Sequence, residues 1–362
     1  MTQQSPSKIA VLGAGSWGTA FAKVVADAAT TAGSDRQVVL WGRNPQAMTA
    51  MQESRINERY FPGVQLPANL IMTADAEQAL EGATLVVLAI PAQVLRNQLE
   101  SFAPLIEPSA VLVSLAKGLE MGTGLRMSEV ITEVLQSHLV ATGASPQTVE
   151  TVPGRITVLS GPNLAKEIIV EQPTTSVVAA QNETTAQLVA SVCVADYFRP
   201  YTNTDVVGVE IGGLVKNVIA LCVGMCEGKQ YGDNSKASVM TRGLAETTRL
   251  ALALGGKLET MSGLAGMGDL IATCSSPLSR NHTAGRLLAE GVAPDQLHTV
   301  MTQTAESIKS APGVAELARK VGVEMPITEA VVAVLNRTIS VEELAPALLG
   351  RSLKSEGITP ST

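Results

Sequence analysis

A glycine-rich segment near the amino terminus constrains the fold of this chain more than any other feature. The segment "GAGSWG", residues 13–18, follows the apolar run "KIAVL" and precedes the helix-like "TAFAKVVADAA". Gly13 and Gly15 let the turn tighten and let a pyrophosphate approach the backbone where a helix begins, while Gly18 permits close packing of helix on strand. The context therefore predicts a dinucleotide-binding turn, with an ordinary glycine-rich turn as the alternative.

The first half of the chain alternates short apolar runs with helix-like patterns. Near-continuous hydrophobic runs are typical of strands buried on both faces of a parallel sheet. They occur at 8–13, 37–42, 83–90, 109–116, 155–161 and 174–180, whereas from about residue 204 helical patterns dominate, at 206–226, 236–254, 281–290, 306–321 and 328–336. The predicted fold class is α/β: a Rossmann-like doubly wound sheet in a dinucleotide-binding domain, residues 1–203, followed by an all-α C-terminal substrate and catalytic domain, residues 204–362.

Composition narrows the classes of partner. The chain has 362 residues and a formal net charge of −7, which argues against a nucleic-acid-binding surface but leaves room for a local site for a phosphorylated small molecule. The four cysteines form no CxxC pair and the three histidines lack metal-ligand spacing, so we expect no metal site and a reducing cytoplasm. The interrupted apolar runs predict no export and no stable membrane insertion. The oligomeric state stays open between a monomer and a homodimer.

The end of the second predicted strand bears on the choice of cofactor. An acidic residue there would accept hydrogen bonds from the adenosine ribose, but the chain reads "VVLWGRNP", with Arg43 and Asn44. An arginine can pair with a 2′-phosphate. We therefore expect NADP(H), with NAD(H) as the second candidate; a solvated surface arginine is the alternative interpretation of Arg43.

Three later loops follow predicted strands, where the ligands of open α/β sheets gather. "AIPAQ" contains Pro91, "LAKGLE" contains Lys117, and "LSGPNLAKEI" contains Gly161 and Pro162. We expect Lys117 to reach into the ligand cleft and Gly161 to allow a close approach. A turn proline and a solvated loop lysine are the structural alternatives.

A single lysine interrupts the most apolar predicted helix. In "EIGGLVKNVIALCVGM", residues 210–225, Lys216 shares a helix face with Gly208, Gly212, Ala220 and Gly224. An ammonium group in apolar surroundings is unfavourable without compensation. We expect the small-residue face to admit a backbone or a ligand next to Lys216; a lysine that extends to solvent is the alternative.

The segment "SGLAGMGDLIATCSSPLSRNHTAG", residues 262–285, offers partners for Lys216 and for an anion. Asp269 follows three closely spaced glycines and is the candidate to orient or charge-balance Lys216. Ser279, Arg280 and Asn281 stand at a predicted helix start, where side chains and exposed backbone N–H groups form an anion cradle. Ser279 is equally suited to be only an N-cap.

Taken in order, seven segments resemble the bacterial NAD(P)-dependent glycerol-3-phosphate dehydrogenases. They are "GAGSWGTA", "AIPAQ", "AKGLE", "LSGPNLAKEI", "EIGGLVKNVIAL", "LAGMGDLIATC" and "SRNHTAGRLL", and "EMPITEAV" and "LLGRSLKSE" also fit. The resemblance covers nearly the whole chain. It implies reversible reduction of dihydroxyacetone phosphate to sn-glycerol 3-phosphate, which leads into glycerophospholipid synthesis.

The same resemblance assigns roles to residues. It implies that Lys216 is the general acid/base. The implied substrate-binding residues are Lys117, Gly161, Asn163, Lys216, Asp269, Ser279, Arg280 and Asn281. Together with the glycine-rich turn and the end of the second strand, it implies a cofactor-binding set of Gly13, Gly15, Ser16, Trp17, Gly18, Arg43, Asn44, Lys117, Ala165, Arg280 and Glu306.

Two positions depart from the family pattern. Asn163 stands where the family often has serine or threonine, and Ser307 replaces the glycine that usually follows the residue aligned with Glu306. Two other functions remain open on the residues alone. One is a two-domain dehydrogenase for a hydroxy acid or sugar acid, and the other is a dinucleotide-sensing regulator without catalysis.

Overall fold

The structure is a computed structural model that describes residues 6–301 and 305–351 of the chain. The described residues form two compact units, one of residues 6–117 and 126–206 and the other of residues 118–125, 207–301 and 305–351. The predicted domain bounds, 1–203 and 204–362, stay a prediction, to which the structure adds that segment 118–125 groups with the second unit. Part of the family-like segment "LLGRSLKSE" lies outside the described residues.

The first unit is built on one eight-stranded sheet. Its strands are β1 (Lys8–Leu12), β2 (Gln37–Trp41), β3 (Leu70–Thr73), β4 (Leu85–Leu88), β5 (Val111–Ser114), β6 (Ile156–Ser160), β7 (Thr174–Ala180) and β8 (Phe198–Asn203). They lie in the order β3-β2-β1-β4-β5-β6-β7-β8, and every pair is parallel except β6 with β7. The first six positions follow the doubly wound order of dinucleotide-binding sheets, which confirms the predicted fold class.

The sequence did not predict strands β3 and β8, which lie at the two edges of the sheet. β3 alternates buried with half-buried residues, and β8 has only one buried residue, Phe198. Neither therefore has the continuous apolar run of a strand that is covered on both faces.

The helices of the first unit are α1 (Ser16–Thr31), α2 (Pro45–Ser54), α3 (Ala76–Leu80), α4 (Ala92–Phe102), α5 (Met127–Ala141), α6 (Pro146–Glu150), α7 (Ala165–Ile168) and α8 (Glu183–Ser191). Alanines at five of its positions give α1 high helix propensity. The core joins β1 and β2 to α1, with Ile9, Phe21 and Val38 fully or almost fully buried. Burying each such side chain stabilises the fold by about 1.5–3 kcal/mol, which anchors the start of α1 on the sheet.

The second unit contains α9 (Val206–Gly228), α10 (Asp233–Ala253), α11 (Leu258–Ser262), α12 (Asp269–Ser275), α13 (Arg280–Ala289), α14 (Leu297–Val300), α15 (Glu306–Lys320), α16 (Pro326–Leu335) and α17 (Val341–Leu349). A π-helical turn, Leu264–Gly268, leads directly into α12. The five predicted helices are all present, with ends that differ by a few residues. The sequence interpretation missed the short helices and α17.

Helix α9 is the core of this unit. It is long and apolar enough to cross a membrane, but 89% of its most apolar window is buried inside the protein. Its small residues admit other backbones: a Cβ at Gly212 would lie 2.5 Å from the Ala265 carbonyl oxygen, and one at Gly224 would lie 2.0 Å from that of His282. The small-residue face is expected to admit either a backbone or a ligand. At Gly212 and Gly224 it is protein backbone that packs there.

A buried carboxylate caps one helix of the second unit from a distance in sequence. Glu246 of α10 accepts hydrogen bonds from the backbone N–H of Ile327 at 2.6 Å and of Thr328 at 3.3 Å, in the first turn of α16. Burial raises the pKa of Glu246 to about 7, although these hydrogen bonds favour the charged form. The start of α16 is thus held by a group that titrates near neutral pH.

Candidate active site

The glycine-rich turn has the geometry that its sequence requires. Gly13 adopts a φ of +121°, and a Cβ there would lie 2.4 Å from the Ala89 carbonyl oxygen. At Gly18 a Cβ would lie 1.9 Å from the carbonyl oxygen of Gly13. Side chains at these two positions would therefore push the turn, strand β4 and helix α1 apart.

The middle glycine leaves space at the start of α1. Gly15 is the N-cap of α1, and a Cβ on it would meet no atom within 4 Å. The first N–H groups of a helix, here those of Ser16, Trp17 and Gly18, have no partner within the helix. Open space in front of free helical N–H groups fits the pyrophosphate of a dinucleotide.

A buried asparagine that the sequence interpretation missed supports this turn. Asn57, which follows α2, donates from Nδ2 to the Thr19 hydroxyl at 2.8 Å and to the Ala14 carbonyl oxygen at 3.4 Å. Asn57 is 4% exposed. Its amide therefore ties the glycine-rich turn to the first turn of α1.

The end of β2 lies beside the same turn. A Cβ at Gly42 would come within 2.9 Å of the Ala14 Cβ, so the two backbones are close. Arg43 follows and is exposed, with no acidic residue between it and Trp41. Asn44 caps α2, since its side-chain oxygen accepts a hydrogen bond from the Ala47 N–H at 2.9 Å. The Arg43 side chain is thus exposed at the end of β2, whereas the Asn44 oxygen is engaged in the helix cap.

A polar cluster follows β5 and β6 in the first unit. Lys117 donates to the Gly161 carbonyl oxygen at 3.0 Å, and Asn163 donates from Nδ2 to the Ser176 hydroxyl at 3.0 Å. Among the residues that the structure describes, Asn163 Oδ1 is buried without a hydrogen-bond partner. Ala165, another predicted contact, is the first residue of α7. The structure thus brings Lys117, Gly161 and Asn163 together.

In the second unit, Lys216 is a buried cation with a carboxylate partner. It is 7% exposed, and its Nζ lies 2.6 Å from Asp269 Oδ1 and 2.5 Å from the Thr273 hydroxyl. Asp269 is 1% exposed and Thr273 lies one helical turn further along α12. The structure therefore joins the two predicted residues and adds Thr273, whose spacing of four residues from Asp269 was the available signal.

The neighbouring thiol is poorly suited to act as a nucleophile. Cys274 is buried beside this ion pair, and burial raises its pKa to about 12 while Lys216 lowers it and Asp269 raises it. A thiol with such a pKa stays protonated near neutral pH. The Cys274 thiol therefore adds no charge to the contact of Lys216 with Asp269 near neutral pH.

Asn281 is held by two partners inside the helical unit. Its Nδ2 donates to Asn217 Oδ1 at 2.9 Å, and its Oδ1 accepts from the Ser307 hydroxyl at 2.8 Å and from the Ser307 N–H at 3.2 Å. Both lone pairs of Asn281 Oδ1 therefore accept hydrogen bonds, and one of the two protons on Nδ2 remains available for a ligand. Ser307, noted above as a departure from the family pattern, is completely buried in this contact. Asn217, adjacent to Lys216, was missed.

The other predicted residues of this unit stand at helix starts. Ser279 is the N-cap of α13 and accepts from the His282 N–H at 3.3 Å, as the structural alternative proposed. Arg280 is the first residue of α13 and is exposed. Glu306 is the first residue of α15 and is half-buried. The start of α13 thus offers a guanidinium beside helical N–H groups, which suits an anion.

Comparison with known proteins gives consistent matches along the chain. Residues 8–186 match the family model described as NAD-dependent glycerol-3-phosphate dehydrogenase N-terminus, and residues 205–346 match the corresponding C-terminus. A glycerol-3-phosphate dehydrogenase of Thermobifida fusca, named as using NAD(P)+, is 52% identical over 97% of this chain and 98% of its own length. One from Streptomyces coelicolor is 51% identical over 97% and 98% of the two chains. A crystal structure of glycerol-3-phosphate dehydrogenase from Coxiella burnetii has a TM-score of 0.84 and 34% identity, covering 95% of this chain and 99% of the other.

Proposed function

We propose, from the premise that this chain belongs to the NAD-dependent glycerol-3-phosphate dehydrogenase family, that Lys216 is the proton donor and acceptor of its reaction. The protein is an NAD(P)-dependent dehydrogenase that interconverts dihydroxyacetone phosphate and glycerol 3-phosphate. The observation that carries the proposal is the buried contact of Lys216 with Asp269 and Thr273.

The first unit holds the cofactor in this proposal. Gly13, Gly15, Ser16, Trp17 and Gly18 supply the turn and helix start for the pyrophosphate, and Ala165 adds a contact at α7. A nicotinamide cofactor held there would supply the hydride for reduction of the substrate carbonyl carbon. Arg43 favours NADPH over NADH because a guanidinium pairs with a 2′-phosphate, and Asn44 supports the same end of the cofactor through its remaining amide protons. Lys117, Arg280 and Glu306 complete the proposed set of contacts.

Lys216 handles the proton at the substrate oxygen. In the direction of reduction its ammonium stabilises the developing alkoxide and donates a proton to it; in the reverse direction the neutral amine accepts that proton. Asp269 and Thr273 lie within 2.6 Å of Nζ and so fix its position. A preorganised group of this kind needs no rearrangement when charge develops, which lowers the barrier.

The remaining side chains orient the phosphorylated substrate. At the start of α13, the guanidinium of Arg280 and nearby N–H groups bind an anionic group, with Ser279 as the cap that holds the helix start. Asn281 contributes its one remaining amide proton. In the first unit, Lys117, Gly161 and Asn163 supply the other proposed contacts.

The test is oxidation of NADPH with dihydroxyacetone phosphate. Lys216→Ala should lower kcat by about 10²- to 10⁴-fold, because proton transfer by a positioned group contributes that much. Lys320→Ala is the matched control, since Lys320 is an exposed lysine of the second unit that pairs with Glu316. Arg43→Ala should raise KM for NADPH and leave KM for NADH unchanged.

Two results would contradict the proposal. Wild-type activity retained in Lys216→Ala would exclude the proton-transfer role. Binding of NADPH without turnover of any carbonyl substrate would favour a dinucleotide sensor instead.

We further place this activity in the cytoplasm, in the supply of glycerol 3-phosphate for glycerophospholipid synthesis, and infer a homodimer as the working form. Depletion of the protein in its host should lower glycerol 3-phosphate and phospholipid content, and externally supplied glycerol 3-phosphate should restore both. Light scattering on the purified protein measures the oligomeric state. A phospholipid content that does not change on depletion would separate the activity from this role.

A further inference from the structure

We propose that Ser176 is a positioning residue that turns the Asn163 side chain so that its Oδ1 accepts a hydrogen bond from the free hydroxyl of the substrate. The inference rests on the proposed function and deepens it. No family motif named above contains Ser176. It lies in β7, where it is completely buried.

The direction of each hydrogen bond follows from chemistry alone. The Ser176 hydroxyl lies 2.8 Å from the backbone carbonyl oxygen of Ser160, and a carbonyl oxygen can only accept. The single hydroxyl proton is therefore used there, so Ser176 can present only a lone pair to Asn163. Asn163 must then turn its NH2 group toward Ser176, at 3.0 Å, and its Oδ1 must point away.

Ser176 is held firmly enough to act in this way. β7 pairs antiparallel with β6, with Ser160 opposite Val177. Gly161 has a φ of +122°, and a Cβ on it would lie 3.3 Å from the Ser176 Cα, so the loop that carries Asn163 packs directly on β7. The hydrogen bond from Lys117 to the Gly161 carbonyl oxygen is a second contact of the same loop.

The Asn163 Oδ1 atom needs a hydrogen-bond donor. Within the described part of the chain, Asn163 Oδ1 is buried and has no hydrogen-bond partner, which is unfavourable unless a bound molecule supplies one. Dihydroxyacetone phosphate has one strong donor, its free hydroxyl, because its carbonyl and its ionised phosphate accept. Asn163 Oδ1 is thus suited to distinguish the substrate from a ketone phosphate that lacks this hydroxyl.

The experiment compares two substrates, dihydroxyacetone phosphate and acetol phosphate, which has a methyl group in place of the hydroxymethyl group. The measured quantity is the ratio of their kcat/KM values with NADPH. Ser176→Ala should reduce the preference for dihydroxyacetone phosphate by about 3- to 10-fold, the usual effect of one hydrogen bond. In an Asn163→Ala background the same substitution should change the ratio by less than about twofold, because Ser176 acts through Asn163.

A matched control is available on the neighbouring strand. Thr157 of β6 is completely buried, and its hydroxyl donates to the Leu112 carbonyl oxygen at 2.9 Å, so Thr157→Val removes a similar hydrogen bond away from Asn163. We expect it to lower the thermal midpoint and to leave the substrate ratio unchanged. An unchanged ratio in Ser176→Ala, or an equal change in both backgrounds, overturns the proposal. A weaker NADPH affinity in Ser176→Ala with an unchanged ratio overturns it too, since Oδ1 would then serve the cofactor.

Crystal structures of wild type and Ser176→Ala provide a readout that does not depend on turnover. The Asn163 amide should have one orientation in wild type and more than one in Ser176→Ala; a single unchanged orientation contradicts the positioning role. If wild type turns over neither ketone phosphate, the proposed function fails, and this structural comparison still decides whether Ser176 orients Asn163.

Discussion

The two units present their candidate site residues in opposite ways. In the first unit, tight turns bring backbone groups forward at Gly13–Gly18 and at Gly161, and buried side chains such as Asn57 and Ser176 hold those turns. In the second unit the candidate groups are themselves buried side chains that contact one another, as Lys216 does with Asp269. The candidate site of the first unit therefore depends on space beside the backbone. The candidate site of the second unit depends on a buried charge that has a partner of opposite sign.

The strongest test of this difference removes the charge compensation. Asp269→Ala leaves the buried ammonium of Lys216 without its carboxylate, and breaking a buried pair in this way typically costs about 3–5 kcal/mol of unfolding free energy. Urea unfolding measures the loss. Adding Lys216→Met to Asp269→Ala should recover part of it, because the buried charge is then gone.

The control for that test is an ion pair on the surface. Asp233 pairs with Lys236 at 2.8 Å but its side chain is 97% exposed, so Asp233→Ala should change stability little. Equal losses of unfolding free energy in Asp269→Ala and Asp233→Ala would show that the buried ion pair stabilises the second unit no more than a surface pair does.

The pH dependence of stability offers a second test of buried charge. The Glu246 carboxyl has a pKa of about 7 in the folded protein, above its ordinary value of 4.5. Between these two pH values the folded state binds more protons than the unfolded state, so the unfolding free energy falls as pH rises, by up to about 3 kcal/mol. Glu246→Gln keeps an acceptor for the α16 N–H groups and should remove this slope. Urea unfolding at several pH values from 4.5 to 8 checks it, and an unchanged slope in Glu246→Gln would assign the effect to other groups.

Glycine substitutions in the first unit should separate stability from binding. Gly18→Ala places a Cβ 1.9 Å from a backbone oxygen and should cost about 1–3 kcal/mol. The Cβ that Gly15→Ala adds meets no atom within 4 Å, so the stability of this variant should change by less than about 0.5 kcal/mol. NADPH binding should weaken, because the methyl group would occupy the space that we propose for the pyrophosphate. Fluorescence titration with NADPH measures the second effect. Wild-type affinity in Gly15→Ala would mean that this space is not the cofactor site.

A smaller loss of stability than for Asp269→Ala or Glu246 titration is predicted when the contact of Ser307 with Asn281 is removed. Ser307→Ala removes one of the hydrogen bonds that fix Asn281 and should cost about 1 kcal/mol. Ser310→Ala, on the same helix, removes a buried hydroxyl bond to the Glu306 carbonyl oxygen and should cost a similar amount. Only Ser307→Ala should raise KM for dihydroxyacetone phosphate, because the Ser307 hydroxyl is hydrogen-bonded to Asn281 whereas that of Ser310 is hydrogen-bonded to Glu306. A KM that rises equally in both variants would point to a general loosening of α15.

Regular features of the fold could be predicted because they depend on local periodicity. The strands that are covered on both faces, the helix α9 and the strand–turn–helix at Gly13 all have patterns within about 20 residues. The edge strands β3 and β8 could not be predicted in this way, because a half-exposed strand lacks a continuous apolar run.

The chain by itself thus determined the α/β class, the helical second half, the glycine-rich turn and the identity of most candidate site residues. Tertiary structure alone decided which of them meet. Lys216 and Asp269 are 53 residues apart, and Asn57 reaches a threonine 38 residues away. The sequence offered Asp269 as a candidate partner of Lys216 and gave no signal for the Asn57 contact; in both cases the distance between the two side chains depends on how their helices and strands pack. For the same reason Asn163 was recognisable as a substitution, but the direction of its amide depends on Ser176, which only the pairing of β6 with β7 brings beside it.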